Sequence, residues 1–291
     1  MRTRLAGVLM LAIHLCATPL IFAQSTAASS QLAQTDQTGG FIEDWFRMTA
    51  RTQAEQPHWL PPVATAPARL LEVYRYDILW QRGNNGITTE NYNGSKGLEL
   101  IPQRHVEILL VAPPPYIVHS NPALKDGFGD WGFLLKYRIV AAKEEHGNYI
   151  LTAFFQTTFP TGRYKNGSSK AIITPTIAYG KGFGRFDIQG TFGATLPTGN
   201  EAKIGRTFPW NNAFQYHVSK KLWPEIETNY TRFQDGPNRG KTQVFMTPGI
   251  LFGNFHVGKR LSLNFGGGFQ VATTRFHVNN HNGIFTVRFP F

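Results

Sequence analysis

Two Gly- and Asn-rich stretches of the chain carry residues that could do acid–base chemistry. Asp126 and Asp130 are four residues apart, and His277 and His281 are separated by Val-Asn-Asn. Paired carboxylates or an Asp–His pair could activate water as a general base, and the histidines could bind a metal if a carboxylate joined them. Nothing in the spacing brings the two stretches together, so solvated loop residues are the alternative. We therefore predict no catalytic residue, no metal site and no cofactor.

The elements that would position these side chains are short and alternate apolar with polar residues. In residues 131–139, Trp131, Phe133 and Leu135 begin a wholly apolar face, while the opposite face is mixed. A period of two predicts β-strands, and no run after Leu71 approaches the length of a membrane helix. About twelve such segments can be counted, near residues 71–82, 94–102, 105–116, 131–140, 148–159, 170–182, 184–196, 207–218, 222–233, 241–252, 259–271 and 282–291.

The links between these segments sort by length. Most links after even-numbered segments are short, and those after odd-numbered segments are long and rich in Gly, Asn and Pro. Short periplasmic turns alternating with long external loops are typical of antiparallel strands that cross an outer membrane. Lipid offers no partner to a free backbone group, so such a sheet must close. The sequence predicts an all-β, transmembrane, antiparallel up-and-down barrel of about 12 strands over residues 71–291; a soluble β-sandwich or lipocalin-like barrel is the alternative.

The N-terminal residues 1–23 read as a cleaved signal peptide. Arg2 and Arg4 precede the apolar run Leu5–Leu15, and Ile-Phe-Ala precedes Gln24, which is the pattern of an export signal. Cys16, the only cysteine, lies inside this segment, so we expect a mature chain without thiols. Together with the barrel pattern, the export signal predicts the outer membrane of a Gram-negative bacterium as the location.

Residues 24–70 are predicted to form a flexible periplasmic segment. Its first part, 24–40, is small and polar, and such a composition cannot bury enough apolar surface to order itself. Phe41, Trp45 and Met48 recur at helical spacing before a Pro-rich run from Pro57 to Pro67. A short amphipathic helix is expected there, docked on the barrel mouth or, alternatively, on a lipid surface.

The last segment has the character of an assembly signal. Phe285, Val287, Phe289 and Phe291 fall on one face of a strand that begins near Asn282. A terminal aromatic residue on an apolar strand face resembles the signal by which outer-membrane barrels are assembled. An ordinary edge strand that ends in Phe is the alternative.

Three further stretches resemble a known family. They are GFGDWGFLLKYRI (127–139), FPTGRYKNG (159–167) and LPTGN (196–200), and they are similar to the exported proteins named for a MetA, or meta-cleavage, pathway of phenol degradation. The resemblance covers roughly residues 70–291 and implies an outer-membrane barrel with a transport role for aromatic compounds. The motifs themselves are turn and strand features, so they identify no substrate.

The mixed strand faces are where a solute would be guided. A charge on the lipid side near the midplane would cost about 2 to 4 kcal/mol for Arg or Lys, so these residues should face the lumen. The predicted solute-guiding set is Arg75, Asp77, Glu107, Lys136, Arg138, Asp187, Arg260 and Arg288, and the same register turns Arg185, Gln189, Gln215, His217, Glu225, Glu227, Asn229 and Asn264 inward.

Two of these residues could form a positive stripe. Lys136 and Arg138 are two apart on one strand face, and the stripe would favour anions unless Glu107 on the neighbouring segment offsets it. Paired charges that merely close the lumen are the alternative role for the whole set.

The function that these features favour is a non-enzymatic passive channel or binding protein for small solutes, with aromatic and anionic solutes as the classes considered. The alternatives are a hydrolase acting at the external rim through His277 or His281, and a structural barrel with a plugged lumen. The formal charge of +11 includes two arginines of the signal peptide. The expected partners are outer-membrane lipid, lipopolysaccharide, the barrel assembly machinery and a small solute, and no nucleic acid.

Overall fold

The computed structural model describes residues 40–291, so the predicted signal peptide and most of the predicted polar tail lie outside the described residues. The described chain begins with helix α1, Phe41–Ala54, on the segment where helical spacing predicts one. No helix in this part of the chain combines the length and the apolar character needed to cross a bilayer.

Sixteen strands follow the helix. They are β1 Val73–Gly83, β2 Thr88–Asn93, β3 Leu98–Gln103, β4 Val106–Leu110, β5 Tyr116–His119, β6 Gly127–Phe128, β7 Trp131–Ala142, β8 Tyr149–Phe159, β9 Ile172–Phe183, β10 Phe186–Gly193, β11 Leu196–Pro197, β12 Thr207–Tyr216, β13 Leu222–Phe233, β14 Thr242–His256, β15 Ser262–Ala272 and β16 Asn279–Pro290. A 3₁₀ turn, Glu144–His146, and a short helix α2, Glu201–Ile204, lie in the connections.

The strands close into a barrel with 12 antiparallel positions, as the sequence predicts. Each position, here called a stave, is occupied by one strand or by two strands in line. Strand β16 pairs with β1 from Val73 opposite Pro290 to Arg82 opposite His281. Four staves are interrupted and comprise β2 with β3, β4 with β5, β6 with β7, and β10 with β11. The first interruption has a local cause, because Gly94 has φ +54 and a Cβ there would lie 2.5 Å from the Leu79 side chain.

The two faces of the barrel wall differ in chemistry. Large apolar side chains point outward into contact with the surroundings, as in Phe192, Ile226 and Phe269, which are 55%, 50% and 51% exposed. Ionic side chains on the alternate positions point inward and are buried, including Lys136 and Asp187. This alternation is the one that a lipid-facing barrel requires.

The two ends of the barrel also differ. At one end, here called the turn end, the chain makes the connections 104–105, 143–148, 184–185, 217–221 and 257–261. The C-terminal residue Phe291 lies at the same end, where its backbone N–H donates to the Glu72 carbonyl at 3.2 Å. The opposite end, here called the loop end, carries the longer connections, including 160–171, 198–206 and 234–241.

The barrel interior is filled in part by residues 56–72, here called the inner segment. Trp59, Leu60 and Val63 are buried against wall residues that include Leu134, Ile150, Trp223, Leu251 and Ile284. Close approach of the segment requires glycine on the wall, because a Cβ at Gly180 would lie 2.4 Å from the Trp59 ring. Four prolines in the segment carry no N–H, so fewer backbone donors need partners inside the lumen.

The position of the inner segment differs from the flexible segment that the sequence predicts up to residue 70. Composition alone favours disorder for a Pro-rich run. The barrel supplies the apolar contacts and hydrogen-bond partners that the run does not supply to itself, so tertiary contacts decide its conformation.

Candidate functional site

Two arginines and two glutamates hold the tip of the inner segment. We call Arg75, Arg288, Glu225 and Glu227 the tip clamp. Arg288 donates from Nη1 to the Pro61 carbonyl and from Nη2 to the Pro62 carbonyl, the latter at 2.6 Å. Arg75 donates to the Val63 carbonyl at 2.6 Å. Three successive carbonyls are therefore bound by guanidinium groups.

The two glutamates bind the backbone amides that follow. Glu225 accepts the Val63 N–H at 2.8 Å. Glu227 accepts the Ala64 and Thr65 N–H groups through its two oxygens, each at 2.6 Å. Hydrogen bonds to charged groups are the stronger ones in proteins. All of these bonds go to backbone atoms of the tip, so the clamp holds it without hydrogen bonds to its side chains.

Strand register builds the clamp. Arg75 on β1 and Arg288 on β16 are directly opposite cross-strand partners, and Glu225 and Glu227 are two apart on β13, so each pair faces inward together. Like charges at these spacings repel. Asp77 offsets the arginine pair, because Arg75 donates to it from Nε at 2.9 Å and from Nη2 at 2.7 Å.

The rest of the inner segment is held mainly through its backbone as well. Thr152 donates to the Ala68 carbonyl at 2.6 Å, and Gln189 donates to the Leu60 carbonyl at 3.0 Å. Glu107 accepts the Leu71 N–H. The hydrogen bonds from the lumen wall thus hold the inner segment largely by its main chain.

The predicted positive stripe of Lys136 and Arg138 is neutralised in the structure. Lys136 lies 2.7 Å from Glu107 and 3.3 Å from Glu99. Arg138 lies 3.2 Å from Glu55 and donates to the Thr52 carbonyl at 2.7 Å. Glu107 offsets the stripe, as the sequence allows, and Glu99 is an additional partner that the sequence reasoning does not single out.

Arg260 and Arg185 are corrections to the predicted lumen set. Arg260 lies in the exposed turn before β15, with its guanidinium carbon 3.6 Å from the Phe46 ring centroid. Arg185 lies in the exposed turn between β9 and β10. Both arginines precede the first paired residue of their strand, so strand alternation does not govern them.

Asp187 faces the lumen near the turn end and is paired with a histidine. His217 Nε2 lies 2.6 Å from Asp187 Oδ2, and the His217 ring stacks on Trp223 with centroids 3.6 Å apart. Gln189 also donates to Asp187, at 3.0 Å. This Asp–His pair is a different one from the external pair that the hydrolase alternative requires.

Nearer the loop end, the wall carries a chain of uncharged polar groups that we call the amide belt. It comprises Thr191, Asn211, Asn229, Thr247, Gln270 and Asn282, one from each of six neighbouring strands. Asn229 donates to Asn211 at 3.2 Å, and Gln270 donates to Asn229 at 2.8 Å. Asn282 donates to Gln270 at 2.6 Å. The inward register predicts Asn229, but only the pairing order of strands shows that these residues form one belt.

The external carboxylates are used in holding loops. Asp130 accepts the Gly162 N–H at 2.9 Å and the Ser168 N–H at 2.6 Å, so the Gly-Asp and Pro-Thr-Gly stretches of the family resemblance meet in space. Asp126 accepts the His119 N–H at 2.8 Å. These contacts are architectural.

The external histidines have other partners. The His277 ring nitrogens contact the Thr274 carbonyl and the Asn280 side chain, both at 2.9 Å. The His281 ring packs on Phe269 on the outer face, with centroids 5.4 Å apart. Within residues 40–291, no three His, Cys, Asp or Glu side chains gather in a way that could hold a metal ion.

Helix α1 is fastened at the turn end by an ion pair. Arg104 donates to Glu55 from Nε at 2.9 Å, and Thr52 donates to the Arg104 carbonyl at 3.3 Å. The hydrogen bond from Arg104 is the main reason that the pKa of the Glu55 carboxyl lies below its usual value. Trp45 adds a hydrogen bond of 2.6 Å to Glu72.

The C-terminal strand places its aromatic residues as follows. Phe285 and Phe291 are exposed, and Val287 and Phe289 are half-buried, on the outer face of β16. Thr286 and Arg288 are buried in the lumen. Their role as an assembly signal stays a prediction.

Comparison with known proteins gives one family match. A model of the family described as "Putative MetA-pathway of phenol degradation" matches residues 110–289. No curated protein matches the sequence.

Among solved structures, the NanC porin matches with TM-score 0.50 and 10% identity over 75% of this chain and 98% of that one. The COG4313 outer membrane channel from Pseudomonas putida F1 matches with TM-score 0.49 and 18% identity over 75% and 92%. The KdgM porin matches with TM-score 0.44 and 8% identity over 75% and 99%. At 10% sequence identity, the similarity to NanC concerns the fold alone.

The family match spans more than half of the chain and includes the strands from β7 to β16. It also contains all three stretches that carry the resemblance in the sequence. The chain belongs to the family described as "Putative MetA-pathway of phenol degradation".

Proposed function

We propose that the protein is a passive channel for small solutes in a bacterial outer membrane, and that the inner segment closes it. The observation that carries this proposal is the way the segment is held. It adds no strand to the sheet and is bound by side chains of the wall. A barrel closed in this way can release the segment while every stave stays paired.

The cost of release is spread over many separate contacts, and those at the tip involve charged groups. A net hydrogen bond contributes about 0.5 to 1.5 kcal/mol, and one to a charged group about 1.5 to 3 kcal/mol. These net values already include the replacement of each bond by one to water, so the open state in this proposal is a minor population. The segment continues directly into β1 at Val73, so it would leave through the turn end, which we assign to the periplasm.

The lumen chemistry bears on which solutes would pass. Its buried charges are largely paired on the wall, as in Arg75 with Asp77 and Lys136 with Glu107, which does not favour anions in general. The family description names phenol degradation, and a molecule of the size of phenol belongs to the solute class that we propose.

A structural barrel with a permanently filled lumen is the second candidate. The observation that favours it is burial, because Trp59, Val63 and Leu70 are at most 1% exposed. Fully buried side chains of this size each contribute about 1.5 to 3 kcal/mol to docking of the segment.

Conductance in planar bilayers separates the two candidates. The mature protein should show small or rare currents, and a variant lacking residues 41–70 should show a stable conductance several times larger. A matched deletion of residues 24–39 leaves the inner segment in place and should behave like the mature protein. A folded deletion variant without current above the bare bilayer would overturn the channel.

A further inference from the structure

Two buried ionic side chains depend on the inner segment for their partners. Both terminal nitrogens of Arg288 donate to the segment, and its Nε donates to Thr286 at 3.1 Å. Both oxygens of Glu227 accept N–H groups of the segment. Across residues 40–291, neither side chain forms a salt bridge.

The other buried ionic groups of the wall keep a partner on the wall itself. These partnerships are Arg75 with Asp77, Lys136 with Glu99 and Glu107, Asp187 with His217, Glu225 with Gln215, and Arg138 with the Arg104 carbonyl. When the segment withdraws, Glu227 therefore loses both of these hydrogen bonds, and Arg288 keeps only the one from Nε to Thr286.

The contacts made by the segment show what could replace it. Two terminal nitrogens of Arg288 hold two carbonyl oxygens, Pro61 O and Pro62 O. The planar fork of a guanidinium matches the two oxygens of a carboxylate in the same way. Two oxygens of Glu227 hold two N–H donors, and an ammonium group supplies three. The segment carbonyls occupy the position of a carboxylate at Arg288, and the segment N–H groups occupy the position of an ammonium at Glu227.

The distance between the two sites is short. Their contacts on the segment, from the Pro62 carbonyl to the Ala64 N–H, are two residues apart along the chain. The chain bends at residues 63–65, so the span of a fully extended chain, about 3.3 to 3.6 Å per residue, makes roughly 7 Å an upper limit. A molecule with its carboxylate and ammonium one short peptide unit apart can reach both.

We propose that the open lumen binds small zwitterionic solutes of the amino-acid and short-peptide class, with the carboxylate on Arg288 and the ammonium on Glu227. This inference rests on the proposed channel function. The amide belt, on the way from the loop end, presents amides and hydroxyls without charge. The belt itself therefore selects neither sign of charge.

The test uses the channel lacking residues 41–70 and measures how glycylglycine blocks its ion current. In this background, R288Q and E227Q should each raise the half-blocking concentration about three- to tenfold, the loss expected for one charge-assisted contact in a hydrated site. N-acetylglycinamide, of similar size and without charge, should block equally in all three proteins. R163Q and E201Q, at exposed loop positions, serve as matched controls and should leave both values unchanged.

Two further variants guard against a trivial result. R288K keeps the charge and loses the fork, so its half-blocking concentration should lie between those of the parent and R288Q. The exchange R288E/E227R should restore block by glycylglycine, because the zwitterion can bind in the reverse orientation. Heat-modifiable gel mobility verifies that each variant has assembled.

The outcomes are distinguishable. No ion current in the assembled deletion channel would overturn the proposed function. Normal ion current with the same half-blocking concentration in the parent, R288Q and E227Q would overturn the zwitterion site and leave the channel standing.

Discussion

Glu55 connects helix α1 to the barrel through ion pairs with Arg104 and Arg138. Arg104 binds its carboxylate from two nitrogens, and Arg138 adds a contact of 3.2 Å. Glu55 and Arg104 lie outside the strands at the turn end, Arg138 lies on β7, and both arginines favour the ionised carboxylate.

We predict that docking of helix α1 weakens in acid. Hydrogen bonding to Arg104 lowers the pKa of Glu55 in the folded protein, so the pair stabilises docking above the ordinary pKa of a free glutamate and this contribution is lost as pH falls through the lowered value. Protease cleavage within residues 41–54 should therefore accelerate below about pH 4.

The control for this prediction is R104Q, which removes the main partner of Glu55. Cleavage in R104Q should be faster at neutral pH and should change less on acidification. An acid response that is the same in R104Q and the parent would assign the effect to other groups.

The sequence predicts which charged residues face the lumen but does not predict their ion-pair partners. Alternation along β7 predicts that Lys136 and Arg138 face inward, because period two is a local property. The Glu99 and Glu55 contacts depend on strand order and on helix docking, which a local pattern does not contain. The prediction that Arg260 faces the lumen is wrong because this residue lies two positions before β15 begins.

Among the elements, the twelve staves follow the predicted segments, since both apolar alternation and link length report on them. The strands β2, β5 and β6 are differences, because they lie mainly in stretches that the sequence assigns to links. The inner segment could not be predicted in the same way. Trp59, Leu60 and Val63 are apolar residues in a Pro-rich run, and this is the signal that the run is buried. Their spacing has no strand or helix period, so only the filled lumen explains it.

The closing strand carries a prediction of its own. Phe289 and Phe291 lie on the outer face of β16, next to the pairing of Val73 with Pro290. Replacing both with Asp places charge on the lipid-facing surface and removes the apolar terminal face. Assembly should fall to a small fraction of the parent level, measured as heat-modifiable protein in the outer-membrane fraction.

The matched control is R275D, which places a new acid in an exposed loop and should assemble normally. Insertion of the double Asp variant at the parent level would show that this face has no part in assembly.

The whole molecule is a barrel with a complete wall, and in the proposed function its lumen is closed by residues 56–72. The wall is stabilised by strand pairing and by lipid contact of the outer face. The lumen is closed by side-chain contacts that water can replace. The two sets of contacts are separate, so opening need not disturb the wall.

A reversible cross-link between the inner segment and the wall tests whether the segment closes the lumen. Val63 Cγ1 in the inner segment lies 3.5 Å from the position of a Cβ added at Gly268 on β15, so the sulfurs of V63C and G268C would be within reach of a disulfide. The added Cβ would also lie 2.9 Å from Thr247 Cγ2, so assembly of the variant is verified first by its heat-modifiable gel mobility. The predicted mature chain has no other cysteine, because Cys16 lies in the predicted signal peptide.

The decisive measurement is the conductance of V63C/G268C in one bilayer before and after a reducing agent is added. If the inner segment closes the lumen, the oxidised protein should be closed, and reduction should raise its mean conductance several-fold. An oxidant should reverse the rise. V63C alone should not respond. Equal conductance in the cross-linked and reduced states would contradict closure by the inner segment.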